Sequence, residues 1–298
     1  MPDHKKIIVI LGQTASGKSD LAVKIAKKFK GEIISADSRQ VYKGMDLGTG
    51  KITKKEMKGV LHYLLDVASP KTRFTVAQYK KLGLAAIKKI QKKNKVTILC
   101  GGSGFYIQAL IDGVLLPKVK PDLKLRKNLG KKSNLELFKM LKKLDPKRAK
   151  NIDKNNPRRL IRALEIVLKT KRPVPIFQKN PLPYPVLFLG IKKNEKGLKK
   201  LIEKRLLKRL KNGMVAEVKN LRKSGVGWKK LEDFGLEYRW ISMYLQNKIS
   251  YKETVEGLKK DIERYAKRQL TWFKKDRRIV WLKNAKQAER LTNEFLNK

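Results

Sequence analysis

The segment IIVILGQTASGKSD, residues 7–20, contains the clearest structural signal in the chain. A mostly apolar run over residues 6–11 predicts a buried strand, and a helical pattern follows to about Phe29. Between them, Gly12 to Ser19 fits G-x-x-x-x-G-K-[ST]. A glycine-rich loop in this position predicts a phosphate-binding site, because its backbone amides and the N-terminus of the next helix face negative charge.

Each residue of this loop is a candidate for holding a phosphate-bearing substrate. The Lys18 ammonium adds a point charge, and the Ser19 hydroxyl is placed to ligate Mg²⁺. The pattern leaves open whether the phosphates belong to a nucleoside triphosphate or a diphosphate, since both present the same anionic surface. The loop residues are Gly12, Gln13, Thr14, Ala15, Ser16, Gly17, Lys18 and Ser19.

The chain is strongly basic. Its 298 residues include 74 Lys and Arg against 26 Asp and Glu, a net charge of +48. Such a charge favours a polyanionic partner, with nucleic acid foremost. The alternative is a compositional bias, which fits the spread of lysine doublets along the whole chain.

The single cysteine, Cys100, excludes a disulfide framework and a cysteine-based zinc module. A reducing, cytoplasmic setting is therefore expected. The N-terminal residues lack the apolar region of a signal peptide, and no apolar stretch is long enough to span a bilayer. We expect no membrane association.

Strand and helix patterns alternate along the chain. Further strands are predicted at 31–37, 96–100, 186–192 and 278–282, with a helix over 74–95 and a helical tail from Lys196. Between these, residues 119–182 have helical periodicity and no convincing strand. We therefore predict an α/β fold in which a parallel sheet is covered by helices. Residues 1–118 and 183–298 form the core domain, and residues 119–182 form a mostly helical insertion domain.

Eight segments, in order and spread over nearly the whole chain, carry a family resemblance. They are GQTASGKS (12–19), ISADSRQVYKGMDLGTGK (34–51), HYLLDV (62–67), FTVAQY (74–79), GGSGFYIQAL (101–110), NNPRRLIRALEI (155–166), NGMVAEV (212–218) and YAKRQLTWFKKD (265–276). Together they resemble the tRNA dimethylallyltransferases, also called tRNA isopentenyltransferases. The chain departs from the family pattern at Gln13, Ser19, Ser103 and Glu237, where the family usually has proline, threonine, threonine and glycine.

The resemblance implies a P-loop, nucleotide-kinase-like core and a prenyl transferase activity. The family transfers a dimethylallyl group from dimethylallyl diphosphate to the exocyclic amine of the adenosine 3′-adjacent to the tRNA anticodon. It requires Mg²⁺, and its phosphate loop grips the diphosphate that leaves. The implied partners are the tRNA anticodon loop and dimethylallyl diphosphate, and we expect a monomer.

The resemblance also suggests which residues perform the chemistry. Asp37 is the best candidate for the general base that takes the amine proton, although a metal-binding or a capping carboxylate are alternatives. Ser103 is the second catalytic candidate, as a hydrogen-bond partner of adenine or diphosphate, or it is a turn residue. Arg205 is a candidate second cation for the diphosphate, unless it is a solvated helix residue.

A larger set of residues is expected to hold the RNA, with the target adenine flipped from the anticodon loop. The alternative is a solvated basic surface. Ile262, Ala266, Leu270 and Phe273 recur with helical spacing and are expected in the core instead. The expected RNA-binding residues are Asp37, Ser38, Arg39, Gln40, Arg126, Arg158, Arg159, Leu160, Ile161, Arg162, Phe234, Gly235, Leu236, Glu237, Tyr238, Arg239, Lys267, Arg268, Gln269, Thr271, Trp272 and Lys274.

Three other functions use some of the same features. A small-molecule or nucleoside kinase would use the phosphate loop for ATP, and a non-catalytic RNA-binding protein would bind tRNA without turnover. An isopentenyltransferase acting on free adenine nucleotides would need no RNA surface. The RRLIR and YAKRQLTWF segments argue against the last of these.

Overall fold

The structure is a computed structural model and describes residues 5–117, 119–175 and 178–298. Within these residues the strands form a single sheet whose neighbouring pairs are all parallel. The strands are β1 (Ile7–Gly12), β2 (Gly31–Ser35), β3 (His62–Tyr63), β4 (Val96–Gly101), β5 (Val186–Ile191) and β6 (Ile279–Trp281). Their order in the sheet is β3-β2-β4-β1-β5-β6.

Helices make up most of the rest of the described chain. They are α1 (Lys18–Lys28), α2 (Lys54–Met57), α3 (Val76–Lys92), α4 (Gly104–Ile111), α5 (Leu123–Leu129), α6 (Asn134–Leu144), α7 (Pro146–Lys150), α8 (Pro157–Thr170), α9 (Glu195–Lys211), α10 (Met214–Lys223), α11 (Trp228–Phe234), α12 (Leu236–Leu245), α13 (Tyr251–Phe273) and α14 (Ala285–Asn297). None of the described helices is both long and apolar enough to cross a membrane.

The predicted α/β fold with a parallel sheet is confirmed. Strand β1 lies between β4 and β5, and all six of its residues are buried, as expected for a parallel strand covered on both faces. The two-residue strand β3 was not predicted, because two half-buried residues give no periodic pattern. The carboxyl ends of β1, β2 and β4 lie at one edge of the sheet, so the loops that follow them are brought together.

The chain divides into two compact units, one of Met1–Asp112 with Leu182–Lys298 and the other of Gly113–Pro181. The sequence placed the start of the insertion at residue 119 rather than 113. Backbone hydrogen bonds explain the difference: Leu115 N donates to Gln178 O, and Asn180 N donates to Gly113 O. Residues 113–115, ahead of the first helix of this unit, therefore pair with residues 178–180, after its last helix, where hydrophobic periodicity gives no signal.

The smaller unit has its own apolar core, to which helices α6 and α8 both contribute. Leu137, Leu141, Leu160 and Leu164 are fully buried in it. Helix α8 begins at Pro157, a position where proline is tolerated, and the Asn156 side chain accepts a hydrogen bond from Arg159 N at its N-terminus.

Candidate active site

A cavity of about 610 Å³ in the larger unit contains most of the predicted catalytic and diphosphate-binding residues. The phosphate loop and the start of α1 form one part of its lining, and Asp37 contributes another. Helix α9 supplies cations, and α11, α12 and α13 supply mainly apolar side chains. The lining includes Thr14, Ala15, Ser16, Gly17, Lys18, Ser19, Asp37, Ser38, Arg39, Gln40, Arg205, Arg209, Phe234, Gly235, Leu236, Glu237, Tyr238, Ile262, Tyr265 and Gln269.

The phosphate loop is held by close approach of the backbone. At Gly12 a Cβ atom would lie 2.4 Å from Ile191 O, so only glycine fits beside strand β5. Gly17, the residue before α1, has φ 89°, a conformation that glycine adopts without strain. The loop therefore turns sharply into α1, and the first amides of this helix have no partner within it.

Some polar groups of the loop are already satisfied and others are not. Ser16 N donates to Gln13 O at 3.3 Å, and Thr14 N donates to Gln269 Oε1 at 2.7 Å. The Ser16 hydroxyl, by contrast, is buried and has no hydrogen-bond partner among the described residues. The start of α1 and the Ser16 hydroxyl are thus the donors left for an anion.

Three cations surround this anion site. Burial lowers the pKa of Lys18, nearby Cys100 and Asp37 oppose that change, and Arg205 and Arg209 reinforce it. Burial also lowers the pKa of Arg205 to about 10, so this guanidinium stays charged at neutral pH. A concentration of half-buried positive charge without enough acidic partners is the electrostatic setting that a diphosphate would neutralise.

Arg209 was not among the residues expected from the sequence. Its Nη1 lies 3.2 Å from Glu237 Oε1, and a Cβ at Gly50 would lie 2.0 Å from its Nη2. The glycine therefore leaves room for the guanidinium. The i, i+4 spacing of Arg205 and Arg209 on α9 is the sequence signal that both cations face the same direction.

Asp37 follows β2 and uses one carboxylate oxygen to hold its own loop. Its Oδ1 accepts from Arg39 N at 2.8 Å and from Gln40 N at 3.3 Å. Oδ2 has no hydrogen-bond partner among the described residues. The capping role and the base role are therefore compatible, because they use different oxygens of the same group.

Ser103 lies at the end of β4 and contacts the same loop. Its Oγ accepts from Ser38 N at 3.0 Å, and its own amide donates to Ala36 O at 3.1 Å. Ser103 thus fixes the backbone on both sides of Asp37. It does not line the cavity, so the arrangement favours the positioning of Asp37 over direct substrate contact.

Glu217 is a second residue that the sequence did not single out, although it lies in the NGMVAEV segment. Its carboxylate accepts from three consecutive amides, Asp46 N, Leu47 N and Gly48 N, at 2.6–3.0 Å. It also accepts from Tyr238 Oη at 2.8 Å. The loop that carries Gly48 and Gly50 into the cavity is therefore anchored to α10 and α12.

Helix α13 requires a correction. Three of the four predicted core positions, Ile262, Ala266 and Phe273, are buried, but Gln269 is buried in place of Leu270. Gln269 was expected to bind RNA. Both ends of its side chain instead hydrogen-bond to backbone groups of the protein. The other predicted residues of this segment are exposed: Lys267, Arg268, Thr271, Trp272 and Lys274.

Helix α8 divides its predicted RNA-binding residues in a similar way. Leu160 is fully buried in the core of the smaller unit, so its side chain packs within the protein, although it was expected among the RNA-binding residues. Arg158 and Arg159 are exposed, and Ile161 is half-buried.

Arg126 and Arg162 both donate to the fully buried carboxylate of Glu165. The Arg126 Nε and Nη2 distances are 2.7 and 2.6 Å, and Asp122 N also donates at 2.7 Å. Burial opposes ionisation of Glu165, but these hydrogen bonds outweigh it and lower its pKa to about 2. Arg126 is therefore first a structural residue of the smaller unit.

Arg239 on α12 is exposed, and its Nε contacts Glu232 O at 3.4 Å. Cys100 lines the cavity, but burial raises the pKa of its thiol to about 12, which makes it a poor nucleophile. No cluster of three or more His, Cys, Asp or Glu that could hold a metal ion occurs in the part of the chain that the structure describes.

Together these features define a class of protein. A parallel α/β core presents a G-x-x-x-x-G-K-S loop, three half-buried cations and a carboxylate with one unpartnered oxygen around one cavity. This combination defines a P-loop-like α/β protein.

Comparison with known proteins identifies the family. The sequence model described as IPP transferase matches residues 40–276. A tRNA dimethylallyltransferase of Acetivibrio thermocellus is 42% identical, with 93% of this chain and 91% of that protein covered. One of Halothermothrix orenii is 38% identical, with 99% and 95% covered. The chain belongs to the tRNA dimethylallyltransferase family of prenyl transferases.

Solved structures agree with this assignment. The tRNA isopentenylpyrophosphate transferase of Bacillus halodurans has a TM-score of 0.75 and 33% identity, with 98% of this chain and 97% of that chain covered. A eukaryotic dimethylallyltransferase acting on tRNA has a TM-score of 0.82 and 26% identity, with 98% and 79% covered. The similarity therefore extends over both compact units.

Proposed function

We propose that this protein transfers a dimethylallyl group from dimethylallyl diphosphate to the exocyclic amine of an adenosine in tRNA, releasing diphosphate. The target is the adenosine 3′-adjacent to the anticodon. The observation that carries this proposal is one cavity in which a phosphate loop and three half-buried cations, Lys18, Arg205 and Arg209, lie with the Asp37 carboxylate.

The reaction breaks one C–O bond of the donor and forms one C–N bond to adenine. As the C–O bond breaks, negative charge develops on the diphosphate, and the cations together with the amides at the start of α1 stabilise it. The amine loses one proton as the C–N bond forms. Asp37 Oδ2 is the acceptor we assign to this proton, because Oδ1 is already held by Arg39 N and Gln40 N.

The residues present fit a Mg²⁺ ion that is shared with the donor. The Ser19 hydroxyl and the Asp37 carboxylate both line the cavity, and Mg²⁺ is usually held by one or two protein oxygens together with substrate phosphates. We assign Ser19 as its protein ligand. When bound, the ion supplies further neutralisation of the leaving diphosphate.

For the RNA, we propose that the anticodon loop contacts exposed basic residues and that the target adenine enters the cavity. Support comes from the exposed side chains of Arg158 and Arg159 on α8 and of Lys267 and Arg268 on α13. Phe234, whose ring also packs against the Arg39 guanidinium, is a cavity residue suited to adenine.

We further propose that the protein acts as a monomer in the cytoplasm. The free, buried Cys100 suits a reducing compartment.

Three labelled reactions test the function. The protein is incubated with labelled dimethylallyl diphosphate and total tRNA, with the same donor and free adenosine monophosphate, and with γ-labelled ATP and tRNA. Label in tRNA from the first mixture alone supports the proposal. Label in the free nucleotide, or phosphate transfer from ATP, would replace it with the corresponding rival activity.

A further inference from the structure

Gln269 makes two hydrogen bonds to two different loops of the larger unit. Thr14 N in the phosphate loop donates to its Oε1 at 2.7 Å, and its Nε2 donates to Gly102 O at 2.9 Å. The residue is only 6% exposed. Both partners are backbone groups of fixed polarity, so the side chain must offer one acceptor and one donor.

The surrounding backbone leaves a space that this amide fills. A Cβ atom at Gly102 would lie 2.2 Å from Gln269 Nε2, so glycine is required for the amide to approach. The next residue, Ser103, accepts a hydrogen bond from Ser38 N beside Asp37. Gln269 therefore bonds directly to the phosphate loop and is linked through one short turn to the loop of the proposed base.

The neighbours of Gln269 on α13 point the other way. Lys267, Arg268 and Lys274 are exposed, whereas Gln269 lies on the stripe with Ala266 and Phe273. Gln269 lines the cavity, and each end of its amide already bonds to one backbone group. Its two contacts both hold main chain at the cavity.

We infer that Gln269 is a positioning residue for the diphosphate of the donor, and not an RNA-binding residue. By holding the Thr14 amide and the Gly102 carbonyl, it fixes the phosphate loop before the donor binds. Less conformational entropy is therefore lost on binding. This inference rests on the proposed function only in naming the donor. The binding of diphosphate itself can be measured without turnover.

The first test compares two variants on the same helix. Gln269→Met keeps a similar volume and removes both hydrogen bonds, and Arg268→Gln removes an exposed charge. We expect Gln269→Met to weaken diphosphate binding at least tenfold by calorimetry and to change tRNA affinity less than twofold. Arg268→Gln should do the reverse. Thermal unfolding of each variant verifies that it is folded at the assay temperature.

Gln269→Glu gives a sharper readout. A neutral carboxyl group can accept from Thr14 N and donate to Gly102 O, as the amide does, whereas the carboxylate repels that carbonyl and the ligand. We expect its diphosphate affinity, relative to wild type at each pH, to recover as the pH falls from 8 to 5. The ratio cancels titration of the ligand and of the other charged groups of the cavity, which both proteins share.

The results separate the two roles of Gln269 and the wider function. Weaker diphosphate binding in Gln269→Met, with acid rescue in Gln269→Glu, supports the inference even if the wild-type protein fails to modify tRNA. Unchanged diphosphate affinity with reduced tRNA affinity would overturn it and return Gln269 to the RNA surface. Equal losses for both ligands, or no acid rescue, would also overturn it.

Discussion

Arg209 Nη1 lies 3.2 Å from Glu237 Oε1 in the wall of the cavity, and the two side chains are only 15% and 10% exposed. Burial raises the pKa of Glu237, while Arg209 opposes that change. The pair therefore favours the ionised form of a carboxylate in a place where burial disfavours it. It also fixes Arg209 beside Gly50 and Arg205.

Removing Arg209 should make the free energy of unfolding depend more strongly on pH. Because burial raises the folded-state pKa of Glu237, its ionisation costs stability as the pH rises above about 4.5, and Arg209→Met increases that cost. We expect the free energy of unfolding of Arg209→Met to fall by about 3–5 kcal/mol at pH 7, as for a broken buried ion pair, and by less near pH 4.5. Denaturant unfolding at both pH values measures it.

The double variant Arg209→Met, Glu237→Gln is the control for this experiment. It removes the unpaired carboxylate, so most of the stability and the added pH dependence should return to the wild-type level. An equal loss at both pH values would mean that packing, and not charge, is what Arg209 contributes.

Lys18→Met should impair use of the donor far more than binding of tRNA. The expected loss is roughly 3 kcal/mol of leaving-group stabilisation, or ~100-fold in rate, by comparison with loss of one preorganised electrostatic donor. Lys27→Met, on an exposed position of the same helix, is the matched control. Reduced tRNA affinity with donor use intact would contradict the assignment.

The pH dependence of diphosphate binding provides a second measurement on Lys18. Burial lowers its pKa in the free protein, so it loses its proton at a pH below 10.5. Affinity for diphosphate should therefore fall as the pH rises through that lowered pKa, and binding should take up protons at alkaline pH. In Lys18→Met, diphosphate affinity should not show this fall at alkaline pH.

Asp37→Asn should slow the chemical step by roughly 10²–10⁴, the usual contribution of a positioned acid–base group, with both substrates still bound. The amide oxygen of Asn can still accept from Arg39 N and Gln40 N, so the loop should keep its conformation. Single-turnover rates over a range of Mg²⁺ concentration measure the effect. Rescue at high Mg²⁺ would make Asp37 a metal ligand, and recovery at low temperature would make it a capping residue.

The arginines of α8 should differ in their effects on RNA binding. Arg159 is exposed, whereas Arg162 donates to Glu165 and to Val119 O. Arg159→Ala should reduce the slope of log affinity against log salt by about 0.7, the value for one phosphate contact to a single strand. Arg162→Ala should instead speed hydrogen exchange in α8, because Glu165 keeps only one arginine. An unchanged slope for Arg159→Ala would place that residue outside the RNA interface.

The sequence carried the information for the fold because its signals are local. The buried strand before Gly12, the helix after it and Pro157 at the start of α8 are all properties of a few consecutive residues. The two-residue strand β3 and the pairing of residues 113–115 with 178–180 have no such pattern, since they depend on backbone contacts between distant segments.

The site was predictable in its residue types and less so in its geometry. The phosphate loop was found from its motif, and Asp37 and Arg205 from the family resemblance; residues 14–19 of the loop, Asp37 and Arg205 line the cavity. Arg209 and Glu217 were missed, because their partners lie far away in sequence: Arg209 pairs with Glu237, and Glu217 holds three amides of the 46–48 loop. Gln269 was placed on the wrong face of α13, because a buried polar residue on an amphipathic helix looks like a surface residue until its backbone partners are known.

The most direct measurement is mass spectrometry of unmodified tRNA after incubation with the protein and dimethylallyl diphosphate. Ribonuclease fragments locate the change, and nucleoside analysis identifies it, with Asp37→Asn as the matched control. The expected product is a dimethylallyl group on the exocyclic amine of the adenosine 3′-adjacent to the anticodon, formed fast by wild type and slowly by Asp37→Asn. Unmodified adenosine at that position after incubation with folded wild-type protein would contradict the central claim.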